Sequence, residues 1–136
     1  MVEVNNITKV KIDIGLVKAV AEEFLKYYKK SGHDVSIAFI SDQEMKRLNK
    51  KYRGMNKTTD VLSFSGEGDF LGEILISYNQ IKKQAKEQKK KTKHELIFII
   101  IHGLLHLLGY TDDTEKDLKK MLALGEDFMR KIVLPC

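Results

Sequence analysis

A chain of 136 residues suits one domain with one core, and its 43% apolar and 32% charged residues are those of a globular protein rather than a fibrous or disordered one. The single cysteine, Cys136, excludes an internal disulfide framework and fits a reducing compartment. The net charge of +5 is unevenly spread: "KKQAKEQKKKTK" (82–93) holds seven Lys against one Glu, and Lys46, Arg47, Lys50, Lys51, Arg53 and Lys57 crowd a second stretch.

A one-sided basic surface attracts polyanions, nucleic acid above all, although a lysine-rich helix also reads as a plain solvated face. No charged-then-apolar leader opens the sequence, and the longest apolar run, Leu96 to Leu108, is 13 residues. A bilayer span needs roughly 20. The expectation is a soluble, cytoplasmic protein with no membrane partner.

In chain order, "VEVNNIT" near the start alternates weakly and competes with "VKIDI" for the first strand. Leu16, Val17, Val20, Phe24, Leu25 and Tyr28 recur at helical spacing, predicting a helix from Asp13 to Lys30 with Asp13 as cap and Ser31-Gly32 as stop. "VSIAFI" (35–40) is a short buried strand, and "SDQE" (41–44) is a capping box opening a helix to about Tyr52. "TDVLSFS" and "FLGEILIS" are two strands joined by "GEGD", a hairpin turn. Ser77 starts a lysine-rich helix to about Lys90, and "TKHE" (92–95) is a second capping box. The segment 114–132 makes a last amphipathic helix with Leu118, Met121, Leu122 and Leu124 turned inward. With no repeat or linker, and with Pro135 the only proline, residues 1–136 read as one α+β domain. About four strands form a mixed sheet, and about five helices accompany it.

Residues 96–108 are apolar on every side, which predicts the central helix of the domain. It carries His102 and His106 at i and i+4, on one face, where both imidazoles reach one metal ion. Unpaired imidazoles would cost free energy in a core. Gly109 can take the left-handed conformation that ends a helix, letting the chain fold back. Asp112 is then the third ligand, with Asp113 the neighbouring alternative; an N-cap of the last helix is the structural reading of Asp112. Two His and one carboxylate, with a fourth position open, describe a catalytic Zn²⁺ site better than a structural one. The spacing is close to that of the metzincin proteases, in which a Glu follows the first His as general base. Here that position is Gly103, so the usual peptidase mechanism is lost. Gly inside a helix costs about 1 kcal/mol relative to Ala, so its small size must serve either a close approach or helix packing.

"HGLLHLLGY" resembles the signature of the YbeY-like endoribonucleases, bacterial ribosomal RNA maturation factors. "LNKKYRGMNKTTDVLSF" (48–64) and "LGEILIS" (71–77) are similar to two further stretches of that family, in the same order. Asp112 stands where the family has a third His, Thr111 where it has Asp, and Thr58 and Ser65 where it has Pro. The resemblance implies a zincin-like central helix carrying one Zn²⁺ or another divalent ion per chain. It also implies a single-strand-preferring endoribonuclease acting in small-subunit ribosomal RNA 3′-end processing and ribosome quality control. Precursor ribosomal RNA would be the substrate and a ribosomal subunit the partner. Arg53, at the Arg of the matched segment, is then the candidate catalytic and substrate-binding cation, its planar fork suited to phosphate; the structural alternative is a cap or ion pair at its helix end.

The general base is open. Glu73 on the second hairpin strand is one candidate, although a solvent-facing role suits it better, and either water or an RNA 2′-hydroxyl could be the nucleophile. Asp60 and Ser63 are expected to hydrogen-bond around the turn, and His33 and His94 to lie at the surface or in loops. The lysine helix 82–93 could hold backbone phosphates. The scattered Tyr and Phe offer no evident base-stacking platform. Two rival readings are a zincin-type metalloprotease and a non-catalytic ribosome-assembly module with a structural metal.

Overall fold

β-branched runs with both faces apolar pair into the middle of a sheet, and here they do so. A computed structural model describes residues 1–132, so Pro135 and Cys136 lie outside the described residues. The elements are β1 (Val2–Asn6), α1 (Ile14–Tyr27), β2 (Asp34–Ile40), α2 (Asp42–Arg53), β3 (Val61–Ser65), β4 (Phe70–Ser77), α3 (Tyr78–Glu87), α4 (Thr92–Leu107) and α5 (Glu115–Lys131). The four strands form one mixed sheet in the order β1-β2-β4-β3, with β1, β2 and β4 parallel and β3 antiparallel to β4. This is the α+β domain with a mixed sheet that the sequence predicts.

Strand parity divides the side chains between two cores. Val35, Ile37, Phe39, Ile74 and Ile76 face α1, α3, α4 and α5 and join the larger cluster. Ala38, Ile40, Leu62 and Leu75 face the other way, where α2 covers them with Met45. Burying such a side chain contributes about 1.5–3 kcal/mol each, so α4, with Ile100, Leu104 and Leu105 essentially inaccessible, is the most strongly anchored helix. It touches α1, α3, α5, β3 and β4. Its exposure is confined to a stripe of half-buried Phe98, His102 and His106 past its charged first turn, and there a cleft opens.

Several predicted boundaries move. The first strand is "VEVNN", and "VKIDI" instead leads into α1, with Asp13 capping by accepting the Leu16 amide at 3.0 Å. Helix α1 stops at Tyr27 rather than Lys30 because Lys29 takes φ +57° and the Lys30 amide closes on the Leu25 carbonyl at 2.7 Å. Ser41 caps α2 by accepting the Glu44 amide, but Glu44 pairs with Arg47 instead of closing the box. The "TKHE" box does not form: the cap position is Lys91, with no side-chain bond. In α5 Met121 and Phe128 are buried, whereas Leu118 is 38% exposed and lines the cleft with Leu122. No described helix is long and apolar enough to cross a membrane.

Candidate metal centre

The i, i+4 spacing on a straight helix brings the His102 and His106 Nε2 atoms to 3.2 Å, with ring planes 82° apart. The chain then returns as the glycine predicts. Gly109 adopts φ +100° and the Tyr110 amide donates to the Leu105 carbonyl at 3.1 Å, closing the helix end. That turn aims the Tyr110 carbonyl at His106 Nδ1, 3.0 Å away. A proton held on Nδ1 by a carbonyl leaves Nε2 as the lone-pair nitrogen, which is how ligating histidines are commonly oriented.

Asp112 completes the group, its Oδ2 lying 3.4 Å from His102 Nε2 and 3.6 Å from His106 Nε2. It is free for this because Thr114, not Asp112, caps α5, accepting the Asp117 amide at 3.0 Å. Asp113 is exposed and does not line the cleft. The three residues are the one group of potential ligands of this kind among the described residues. A tetrahedral ion about 2.0–2.1 Å from each donor needs donors about 3.3 Å apart, and the three observed edges bracket that distance. The donor set therefore fits a small divalent cation. Burial lowers the His102 pKa, the neighbouring His106 acts in the same sense, and Asp112 opposes both. The outcome favours the neutral imidazole, the form that binds metal.

Gly103 is explained by packing. A Cβ there would sit 3.1 Å from Ile74 Cγ2 and 3.3 Å from Ser63 Oγ, so the glycine lets α4 lie against the β3–β4 hairpin. Ser63 donates to the Gly103 carbonyl at 3.4 Å, bridging strand to helix rather than serving the turn. The cleft, of about 900 Å³, has the stripe of α4 as its floor. One side is formed by β3 with Tyr52 and Arg53 at the end of α2, the other by residues 109–112 with Leu118 and Leu122. Arg53 is exposed there, and among the described residues it forms no ion pair, while Gly54, with φ +69°, ends its helix. Asp60 also lines the cleft, where its charge, after that of Asp112, partly offsets the lowering of the His102 pKa by burial, and it accepts from the Thr59 hydroxyl at 3.3 Å.

Glu73 is not brought to the site. It pairs across the hairpin with Phe64, on the α2 face of the sheet, whereas Ser63 and Ile74 face α4. His94 is exposed on the first turn of α4, and His33 lies half-buried in the turn before β2. Phe98, one turn before His102, stacks on it at 6.0 Å between ring centroids; its i−4 position was legible but unread. The Tyr110 carbonyl was beyond reach of side-chain reasoning.

Comparison with known proteins accords with this geometry. The family model described as endoribonuclease YbeY matches residues 3–133. The chain is 35% identical to the endoribonuclease YbeY of Halalkalibacterium halodurans, over 84% of this chain and 82% of that one. It is 34% identical to that of Acholeplasma laidlawii, over 95% and 96%. The solution structure of TM1509 from Thermotoga maritima superposes with a TM-score of 0.66 at 27% identity, covering 96% of this chain and 91% of that one. By sequence over nearly its whole length, the chain belongs to the endoribonuclease YbeY family, a family of hydrolases.

Proposed function

We propose that this protein is a zinc-dependent endoribonuclease cutting single-stranded RNA, with His102, His106 and Asp112 holding one Zn²⁺ and Arg53 on the scissile phosphate. The observation that carries this reading is the convergence of three donor atoms, 3.2 to 3.6 Å apart, in a cleft that an exposed arginine also lines. A divalent ion held there would supply a Lewis acid for a phosphoryl oxygen and lower the pKa of a coordinated water from about 15.7 toward about 7. The chain's own residues do the rest. The Tyr110 carbonyl fixes the His106 ring, and Asp112 brings a negative charge that binds the ion and lowers its Lewis acidity. Arg53, with no ion-pair partner among the described residues, neutralises charge that grows on the phosphate in the transition state. Attack by water and attack by the substrate's 2′-hydroxyl both fit a cleft without a fixed carboxylate base on α4.

The physiological substrate we infer is precursor ribosomal RNA, in small-subunit 3′-end maturation and ribosome quality control, with the ribosomal subunit as partner and the cytoplasm as location. Family membership and the surplus of positive charge support this. The peptidase reading is disfavoured because Gly103 lies flush against Ile74, leaving no room for a basic carboxylate there. The structural-metal reading is disfavoured because three protein donors facing a cleft leave a fourth position open.

The test combines elemental analysis with cleavage of a labelled single-stranded RNA. One zinc per chain is expected, with cleavage that a chelator stops, that zinc restores, and that His106→Ala abolishes. Cleavage persisting in His106→Ala at the wild-type rate would overturn the assignment. Cleavage of casein by the zinc-loaded protein, lost in His102→Ala, would reinstate the peptidase.

A further inference from the structure

The structure brings together aromatic side chains that are far apart in sequence. Tyr52 lies in the last turn of α2 and lines the cleft, and the residue is 56% exposed. It is not loose: Phe64 of β3 meets it edge-to-face at 5.2 Å between centroids and 70° between planes. Lys51 Nζ lies 5.1 Å from the same ring, and Arg53, the next residue, lines the cleft. An exposed tyrosine braced by a second ring and flanked by cations has no packing duty that explains its exposure. It has the composition of a platform for one nucleobase with the adjoining phosphates.

We propose that Tyr52, supported by Phe64, is a stacking subsite for a nucleobase next to the scissile phosphate of single-stranded RNA. This rests on the reading of the cleft as an RNA site. It adds a reason for single-strand preference: a base stacked within a duplex has no free face to offer the tyrosine, whereas an unpaired base does. Because every base has a π-face, the subsite selects unpaired nucleotides without reading sequence. Arg53 then holds the phosphate one step along the backbone, toward the histidine pair.

The experiment measures binding and cleavage with the full chain loaded with zinc. The probe is a fluorescein-labelled single-stranded oligoribonucleotide, and a set of derivatives carries one abasic nucleotide at successive positions about the cut. For the wild type, one abasic position is expected to weaken binding about tenfold, the effect of losing one base–aromatic stack. Tyr52→Ala should bind the intact oligonucleotide about tenfold more weakly and no longer distinguish that position. Tyr52→Phe should restore both, since the ring and not the hydroxyl carries the contact. A far-ultraviolet circular dichroism spectrum and unfolding midpoint like the wild type's exclude misfolding, which an exposed position should not cause. An abasic profile identical in wild type and Tyr52→Ala would overturn the stacking subsite while leaving the nuclease reading intact. A zinc-loaded wild type that neither binds nor cuts RNA would overturn both.

Discussion

Asp112 and Thr114 divide two tasks that adjacent polar residues could each have taken. The threonine hydroxyl satisfies the first turn of α5, and the aspartate is left to face the histidines. Removing the carboxylate should therefore hurt metal binding without unwinding the helix. Asp112→Ala is expected to weaken zinc binding by at least about 100-fold in a chelator competition, beyond the 10–100-fold typical of losing an outer partner. Asp113→Ala should leave it unchanged, and Asp112→His should keep one zinc per chain, since imidazole is an equally ordinary ligand. Much of this was legible, because i, i+4 histidines and a following glycine obey local helix geometry. The choice between Asp112 and Asp113 was not, because it depends on where the turn aims each side chain. Glu73 was illegible for a related reason. Strand β4 is apolar on both faces, so alternation alone does not reveal which face looks at α4.

At the scale of elements, the site depends on how closely α4 lies on the β3–β4 hairpin, and two glycines set that distance. Gly72 has φ +149°, and a Cβ on it would come within 2.3 Å of the Phe64 carbonyl oxygen and 2.6 Å of Leu107 Cδ2. Neither backbone nor buried leucine can yield, so Gly72→Ala should destabilise the fold by about 2 kcal/mol or more in urea unfolding. Gly103→Ala is a milder change, with contacts of 3.1–3.3 Å against side-chain atoms. Its gain in helix propensity, about 1 kcal/mol, offsets the crowding, so its expected net effect on stability is under about 1 kcal/mol. A second junction is Ser77, fully buried, which accepts the Gln80 amide to cap α3 and donates to Asp42 at the start of α2. Ser77→Ala removes both bonds and should cost about 1–2 kcal/mol by the same measurement. The sequence announced this cap, and the Asp13 and Ser41 caps too, since each uses a polar side chain on its own chain neighbour. It could not announce the end of α1, where a lysine takes a left-handed conformation that glycine normally supplies. Nor could it show that "TKHE" forgoes its box, because the helix starts one residue earlier, with Lys91 at the cap position, and Glu95 is buried by tertiary packing.

Across the whole molecule, the positive charge divides into two surfaces with different relations to the cleft. Helix α2 covers one face of the sheet, and it carries exposed Lys50, Lys51 and Arg53 in its last turn, of which Arg53 lines the cleft. Helix α3 packs on the opposite face beside α4, and its lysines do not line the cleft. The aromatic rim and this separation escaped the sequence because both arise from long-range packing, whereas the charge runs themselves were plain. If the α3 surface holds a distal stretch of RNA while the α2 rim holds the reacting one, charge on α3 should govern affinity and its salt dependence, but not where the strand is cut. For single-stranded nucleic acid each neutralised phosphate contributes about 0.7 to the slope of log K against log salt. The triple variant Lys82→Gln, Lys83→Gln, Lys86→Gln, all at exposed positions of α3, should therefore flatten that slope by about 2 while leaving the cut position unchanged. Anisotropy titrations across a range of potassium chloride concentrations, with gel mapping of the product ends, make the measurement. A slope equal to the wild type's would exclude α3 from the RNA surface.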